Sequence, residues 1–308
     1  MGNYPIGEMI AEMRRRRGIS QEELAGQICS VSTVSKIENG LQFPSRKVWE
    51  GLLQRLGLSM QICDCYIGDA DMQKSVLEYR IRCELQSKNY ENAEQLLQEY
   101  EALAQKGRRH ILEEQFGLYI RGCLLLGQGR DLQEARRLFQ QAITLTLPVI
   151  DIDHPQCPGL LLEEEMVILE KLAELYYALG NPIRAKRIEF FLKEYLEKEP
   201  VDENVRMQIY PGIVITLARW MENDKRFEEE LKLSEHGLDL CVRWGRLTEY
   251  PMLLETKGYA LIAMGRSEEA VIPLKQACVI FQSIGDPVRV GLVKNKSQLL
   301  FQNHQQSS

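Results

Sequence analysis

The sequence predicts an all-α protein in two parts, a small helical domain at the N-terminus and a longer run of helical pairs behind it. Three observations carry this expectation. Between residues 20 and 40, a capping-box serine, an apolar stripe and an Asn-Gly stop mark two short helices joined by a tight connection. Beyond residue 68, small residues return at similar intervals within amphipathic helical stretches. Gly and Pro recur between those stretches too often for a continuous coiled coil.

The first helix is expected over residues 6–17, burying Ile6, Ile10 and Met13. It ends in Arg14, Arg15, Arg16 and Arg17, whose charge suits the negative end of the helix dipole, and Gly18 can terminate it. Ser20 opens the second helix by accepting from the Glu23 backbone N–H while the Glu23 carboxylate reaches back. Leu24, Ala25 and Ile28 form its buried stripe, with Ala25 small where a neighbouring helix must cross closely. The third helix can be capped by Ser30 or Ser32. Val34 and Ile37 then face inward, Ser32, Thr33, Ser35 and Lys36 occupy the rest, and Asn39-Gly40 supplies residues that tolerate a left-handed stop. Ser45 reads as the N-cap of a fourth helix with inner face Val48, Leu52, Leu53 and Leu56. Gly57-Leu58-Ser59 stops it, residues 60–67 read as a short connecting helix, and the expected domains are 1–67 and 68–301, followed by a flexible polar tail, 302–308.

From Ile6-Gly7 to about Leu58 the chain resembles the Xre-type helix-turn-helix of phage repressors and bacterial regulators, because the capping box, the Leu24-Ala25 pair and the Ile37-Glu38-Asn39-Gly40 ending occur together in order. The connection Gly26-Gln27-Ile28-Cys29-Ser30 is shorter than the common form and resembles the variant found in peptide-pheromone regulators of the RNPP group. That resemblance implies a recognition helix starting near Ser30. Val31, Ser32, Thr33 and Lys36 would point at base edges with Ser35 on the same helix, while Gln21, Ser30 and Asn39 would approach phosphates; Arg17, in the basic run that ends the first helix, is a further candidate phosphate contact. It also implies a structural pair between Arg14 and Glu38. The chemistry agrees: Lys36 can donate to guanine O6 and N7, hydroxyls can serve any base, and Val31 or the Thr33 methyl can pack on a thymine methyl. Taken without the resemblance, the same positions are equally the solvent face of a helical hairpin.

In the second part, residues 251–281 are the clearest unit, with Gly258 and Leu261 in a first helix, Met264-Gly265 at the turn, and Ala270, Leu274 and Ala277 in a second. Equivalent positions recur at Ala93/Leu97, Ala135/Phe139/Ala142, Ala185/Leu192 and, more weakly, Glu230/Gly237, at spacings of 42, 50, 45 and 40. This resembles the tetratricopeptide repeat, lengthened from its usual period of about 34 residues as in the RNPP receptors, and implies a right-handed helical superhelix of about five pairs. An amphipathic segment over 287–301, with Val290, Val293 and Leu300 apolar, would cap it, and the connection over 127–131 looks enlarged. The first helices would present Arg82, Arg121, Glu174, Arg219 and Tyr259 to a groove suited to an extended peptide, with Glu78, Glu170, Glu222 and Glu255 a turn away. A plain helical bundle, with these residues merely exposed, is the alternative. The RNPP resemblance implies a homodimeric transcription regulator that binds double-stranded operator DNA and a short signalling peptide. A repeat domain that only dimerises, or scaffolds another protein, is the competing reading.

With 308 residues, 44% hydrophobic and 27% charged, the chain has the composition of a soluble globular protein. Its net charge of −6 is unevenly spread: residues 1–60 hold eight Lys/Arg against six Asp/Glu, and the remainder 30 against 38. A slightly basic head on an acidic body should engage phosphate through one end only. No apolar run approaches the roughly 18 residues of a membrane span and the N-terminus begins a polar helix, so a cytoplasmic protein without membrane contact is expected. The eight cysteines are expected to be reduced thiols; Cys63-x-Cys65 is the sole close pair and has no histidine near it. His110, His154, His236 and His304 are scattered, and no phosphate loop, catalytic triad or metal spacing stands out, so neither enzyme activity, cofactor nor metal is expected. His154, in a long loop between repeats, reads as part of a polar turn.

Overall fold

The computed structural model describes residues 5–58, 69–105, 110–155 and 159–307, and among these every regular element is a helix. The chain divides into two compact units, Met1–Glu203 and Asn204–Ser308.

Four helices form the head of the first unit: α1 (Pro5–Arg16), α2 (Gln21–Ala25), α3 (Val31–Glu38) and α4 (Arg46–Arg55). Local chemistry sets each boundary. The Ser20 hydroxyl accepts from Glu23 N–H at 3.0 Å, and the Glu23 carboxylate accepts from Ser20 N–H at 2.5 Å. Ser30, rather than Ser32, caps α3 by accepting from Thr33 N–H at 3.1 Å. Gly40 (φ 66°), not Asn39 (φ −87°), takes the left-handed position that ends α3. Gly40 N–H then bonds Ile37 O at 3.0 Å and Leu41 N–H bonds Lys36 O at 2.8 Å, a Schellman closure. Ser45 precedes α4 but its hydroxyl makes no cap bond, contrary to expectation. That helix start is held by the Trp49 N–H to Ser45 O bond, 2.9 Å, and by burial of the Trp49 ring.

Ile10, Leu24, Ala25, Ile28, Val34, Ile37, Val48, Trp49, Leu52, Leu53 and Leu56 make the head's core, which Leu112 and Leu162 of the body complete. The head therefore shares its core with the repeats behind it. The expected connecting helix, the boundary at residue 67 and Cys63-x-Cys65 lie outside the described residues.

Three helical pairs follow in the first unit, α5 (Asp69–Gln86) with α6 (Tyr90–Gln105), α7 (Ile111–Gly127) with α8 (Leu132–Thr146), and α9 (Glu163–Ala178) with α10 (Pro182–Lys198). The second unit contains α11 (Glu203–Asn223) with α12 (Phe227–Trp244), α13 (Tyr250–Ala263) with α14 (Ser267–Ser283), and the capping helix α15 (Pro287–Ser307). The five pairs and cap read from the spacing are all present. Residues 302–307, expected as a tail, continue α15, since glutamine-rich sequence without Gly or Pro offers no stop.

Close helix crossings explain the small residues. Ala93, Ala135, Ala185 and Ala270 are fully buried. A Cβ at Gly122 would lie 2.5 Å from the Phe139 ring, and one at Gly258 would collide with Leu274. In the fourth pair the corresponding position is Glu230, also fully buried.

The turn inside every pair is the same device. A residue at positive φ closes the first helix: Lys88 (59°), Gly129 (62°), Gly180 (79°), Lys225 (60°) and Gly265 (79°). The next N–H bonds back across the turn, as from Asn89 to Glu84 O at 2.9 Å and from Arg226 to Met221 O at 2.9 Å. The connection over 127–131 is such a turn and is not enlarged. The widened spacing comes instead from residues 147–162, between α8 and α9. There Asp153 is gripped by Arg184 and accepts from it at 2.5 Å, and His154 Nδ1 lies 3.3 Å from Asp151, a polar turn as expected.

Among the described residues no helix is long and apolar enough to cross a membrane, and no cluster of side chains has the composition of a metal site.

Candidate nucleic-acid interface

The face of α3 is built from the inside outward. Val34 and Ile37 are buried, which fixes the helix roll and leaves Val31, Ser32 and Lys36 exposed, with Thr33 and Ser35 half-buried beside them. Val31 keeps 39% of its surface, an apolar contact point at the start of an otherwise polar face.

Behind the helix, Arg14 forks onto Glu38, donating from Nε to Oε1 at 2.6 Å and from Nη2 to Oε2 at 3.0 Å, while Nη1 donates to Ile19 O at 3.0 Å. One guanidinium thus ties α1, the α1–α2 turn and α3 together. Burial pushes the Glu38 carboxyl up, but the Arg14 and Gln21 hydrogen bonds outweigh it and hold the group below the usual carboxylate range. The Glu38 bond in turn raises Arg14.

The remaining expected DNA residues fall into two groups. Gln21 donates its amide to Glu38 Oε2 at 2.7 Å, so it belongs to the structural pair as well as to the surface. Ser30 is the cap and also bonds the Thr33 hydroxyl at 2.8 Å; Asn39 donates to Ser35 O at 2.8 Å. Arg17 lies elsewhere. It is half-buried against Gly57, where an added Cβ would meet its Nη2 at 2.8 Å. It lines a cleft of about 930 Å³ with Arg55, Leu160 and Tyr195, to which no α3 residue contributes.

Contacts that sequence reasoning missed fasten α4 to the repeats. Arg55 Nη2 donates to Glu165 Oε1 at 2.9 Å and Nη1 to Leu160 O. The Gln54 side chain accepts from Glu163 N–H at 2.9 Å, and Lys47 pairs with Glu78 at 2.8 Å. Local sequence carries no signal for these partners, which are brought together by the fold.

The residues expected to face a peptide are also placed. In the first unit, Arg82 donates to Glu164 at 2.7 Å and lies over the Phe116 ring at 5.3 Å. Arg121 donates to Glu101 at 2.7 Å, and Glu174 accepts from Lys171 at 2.7 Å. In the second unit Tyr259 is 2% exposed, with Lys296 Nζ 4.1 Å from its ring centroid, and the Arg219 Nη2 is buried without a hydrogen-bond partner among the described residues.

Residues 5–61 match the helix-turn-helix domain family. Helices α1–α4 are a helix-turn-helix domain. No curated protein sequence matches the chain. Among solved structures it is similar to Bacillus thuringiensis PlcR in complex with the peptide PapR7 and DNA, with a TM-score of 0.61 at 18% identity over 94% of this chain and 98% of that one. ComR from S. thermophilus in complex with DNA and its signalling peptide ComS gives 0.53 at 15% over 96% and 99%. The apo form of the competence regulator ComR from Streptococcus vestibularis gives 0.52 at 16% over 96% and 97%. At these identities the likeness is one of fold: a helix-turn-helix domain followed by tetratricopeptide-like pairs. Within the helix-turn-helix domain, α3 is the second helix of the motif and carries the exposed face described above.

Proposed function

We propose that the chain is a sequence-specific DNA-binding transcriptional regulator, acting as a homodimer, whose repeat domain binds a short signalling peptide that controls DNA affinity. The single observation that carries DNA binding is the α3 face, where exposed Val31, Ser32 and Lys36 stand on a helix locked from behind by Val34, Ile37 and the Arg14–Glu38 fork. A helix held this rigidly loses little freedom on entering a major groove. Peptide control is supported by the fold shared with PlcR and ComR, both solved with DNA and a peptide. It is also supported by the shared core of head and repeats, through which a ligand that prefers one arrangement of the repeats would bias the head.

Selection of random duplexes by the full-length protein, read by fluorescence anisotropy, tests the DNA-binding part. An enriched motif bound far more tightly than bulk DNA, and weakened by Lys36→Ala, is expected. Binding without sequence preference, unchanged by that substitution, overturns it.

A second reading, in which the repeats only dimerise, draws on the exposed apolar residues Ile272 and Val279 of α14 and Val288, Leu292 and Leu299 of α15, each more than half exposed. The dimer belongs to both readings; titration with short peptides separates them.

A further inference from the structure

Helices α11, α13 and α15 bring six charged or polar side chains together inside the second unit. Lys296 of α15 pairs with Glu222 of α11 at 2.7 Å and covers the Tyr259 ring of α13. Arg289 of α15 approaches Glu255 of α13 at 3.6 Å and donates to Met252 Sδ at 3.4 Å. Arg219 of α11 completes the group, and the charges acting on it are Arg289, Glu255 and Glu222.

The charges do not balance. Glu222 is taken by Lys296 and Glu255 faces Arg289, which leaves Arg219 as the third cation against two carboxylates. Its Nη2 is buried with no hydrogen-bond partner among the described residues, whereas the Tyr259 hydroxyl lies against the Glu255 carboxylate. Glu230, on the adjoining α12, does not supply the missing charge, because burial and Glu222 push its carboxyl up to about 8. A half-buried guanidinium beside another cation costs stability when unpaired, so a fold that keeps one there gains from it only when an anion arrives.

We infer that Arg219, with Arg289 beside it, is the receiving site for a carboxylate of the bound peptide. This rests on the peptide-binding reading above and names the chemistry of one subsite. A single surplus charge matches a monoanion, and the planar guanidinium fork matches a carboxylate. The buried Arg219 Nη2 then finds an acceptor. The carboxylate can come from the peptide's C-terminus or from an Asp or Glu side chain.

The test uses the full-length protein and three pools of short random peptides tethered through their N-termini: one lacking Asp and Glu with a free C-terminus, one lacking them with an amidated C-terminus, and one amidated with a single Asp or Glu. Wild-type protein should retain the first or third pool and not the second, the retained pool identifying which carboxylate is used. Arg219→Gln should weaken the retained peptides by about tenfold or more, the usual worth of a charge-assisted hydrogen bond, with Arg219→Lys intermediate. Arg219→Gln should also raise the melting temperature of the free protein, showing that the variant folds and that the wild-type cation is a burden without ligand. Retention of the amidated, acid-free pool as strongly as the others, or full affinity in Arg219→Gln, overturns the carboxylate site while leaving peptide binding standing. Retention of no pool by wild-type protein overturns both.

Discussion

Arg55 and Glu165 lie 110 positions apart in the chain yet meet at 2.9 Å with side chains 9% and 0% exposed, and this ion pair binds the last helix of the head to the first turn of α9. Burial pushes the Glu165 carboxyl above its ordinary value even with Arg55 beside it. The pair is therefore worth more as a connection than as a source of net stability. Removing one partner leaves the other charge buried, so Arg55→Ala should cost about 3–5 kcal/mol in denaturant unfolding. Replacing both residues by methionine should recover part of that loss, since no charge then remains to be solvated while Leu162 N–H and Leu160 O lose their side-chain partners. A double variant as unstable as Arg55→Ala would refute this account.

Two lysines occupy backbone positions that suit glycine. Lys88 and Lys225 sit at φ 59° and 60°, where the other three pairs have Gly129, Gly180 and Gly265. A side chain in the left-handed region costs about 1–2 kcal/mol, partly offset by the greater chain entropy that glycine loses on folding. Lys88→Gly and Lys225→Gly should each raise stability by roughly 0.5–1 kcal/mol, and Gly180→Ala or Gly265→Ala should lower it. Thermal melts of the four single variants read both signs.

These turns also show where the sequence could be read and where it could not. The Ser20 capping box and the Ser30 cap act over three residues, so the start of each helix was legible from local residue types. The recurring alanines marked the helix crossings because no larger side chain fits there. Lysine at residues 88 and 225 hid, in the first and fourth pairs, the same turn that glycine advertises elsewhere, and the fourth pair read weakly because Glu230 stands where the other pairs have alanine. Arg17 looked like a phosphate contact because basic residues surround it. Its position beside Gly57 depends on how the head packs, which no local pattern encodes.

Arg17 and Lys36 make opposed predictions for DNA. Lys36 is on the exposed face of α3, so Lys36→Ala should weaken operator binding and, if it neutralises a phosphate, lower the slope of log affinity against log salt by about 1. Arg17 lines the cleft behind α2, and Arg17→Ala should leave both affinity and salt slope nearly unchanged. Anisotropy titrations at several salt concentrations measure the two together. A salt slope altered by Arg17→Ala would place that side chain on the duplex after all.

Two buried carboxylates give stability a pH dependence of definite sign. Burial pushes Glu230 from 4.5 up to about 8, and burial next to Glu170 pushes Glu189 well above its ordinary range. A raised folded-state value means the folded chain holds the proton more tightly than the unfolded chain. The stabilisation is complete below 4.5 and, for Glu230, is lost as pH rises to about 8. Glu230→Gln should flatten the fall in melting temperature over that interval, and Glu189→Gln should do the same over a range beginning at 4.5. A variant whose melting temperature falls as steeply as wild type across those ranges would show that these carboxyls ionise freely in the folded state.

The exposed apolar residues of α14 and α15 bear on how two heads could be presented to one duplex. Ile272 is 65% exposed and Val288 72%, with Leu292 and Leu299 farther along α15. Leaving such side chains in water is costly, and burying each against a second copy would recover on the order of 1 kcal/mol or more. A dimer formed there would place like surfaces together under two-fold symmetry, as a palindromic operator requires. For the homodimer proposed above, Ile272→Glu with Val288→Glu should give a monomer in light scattering while leaving the helical circular dichroism signal intact, because neither residue is part of the core. Operator affinity should fall with it, since each half-site would then be bound separately. A double variant that remains dimeric would assign self-association to another face.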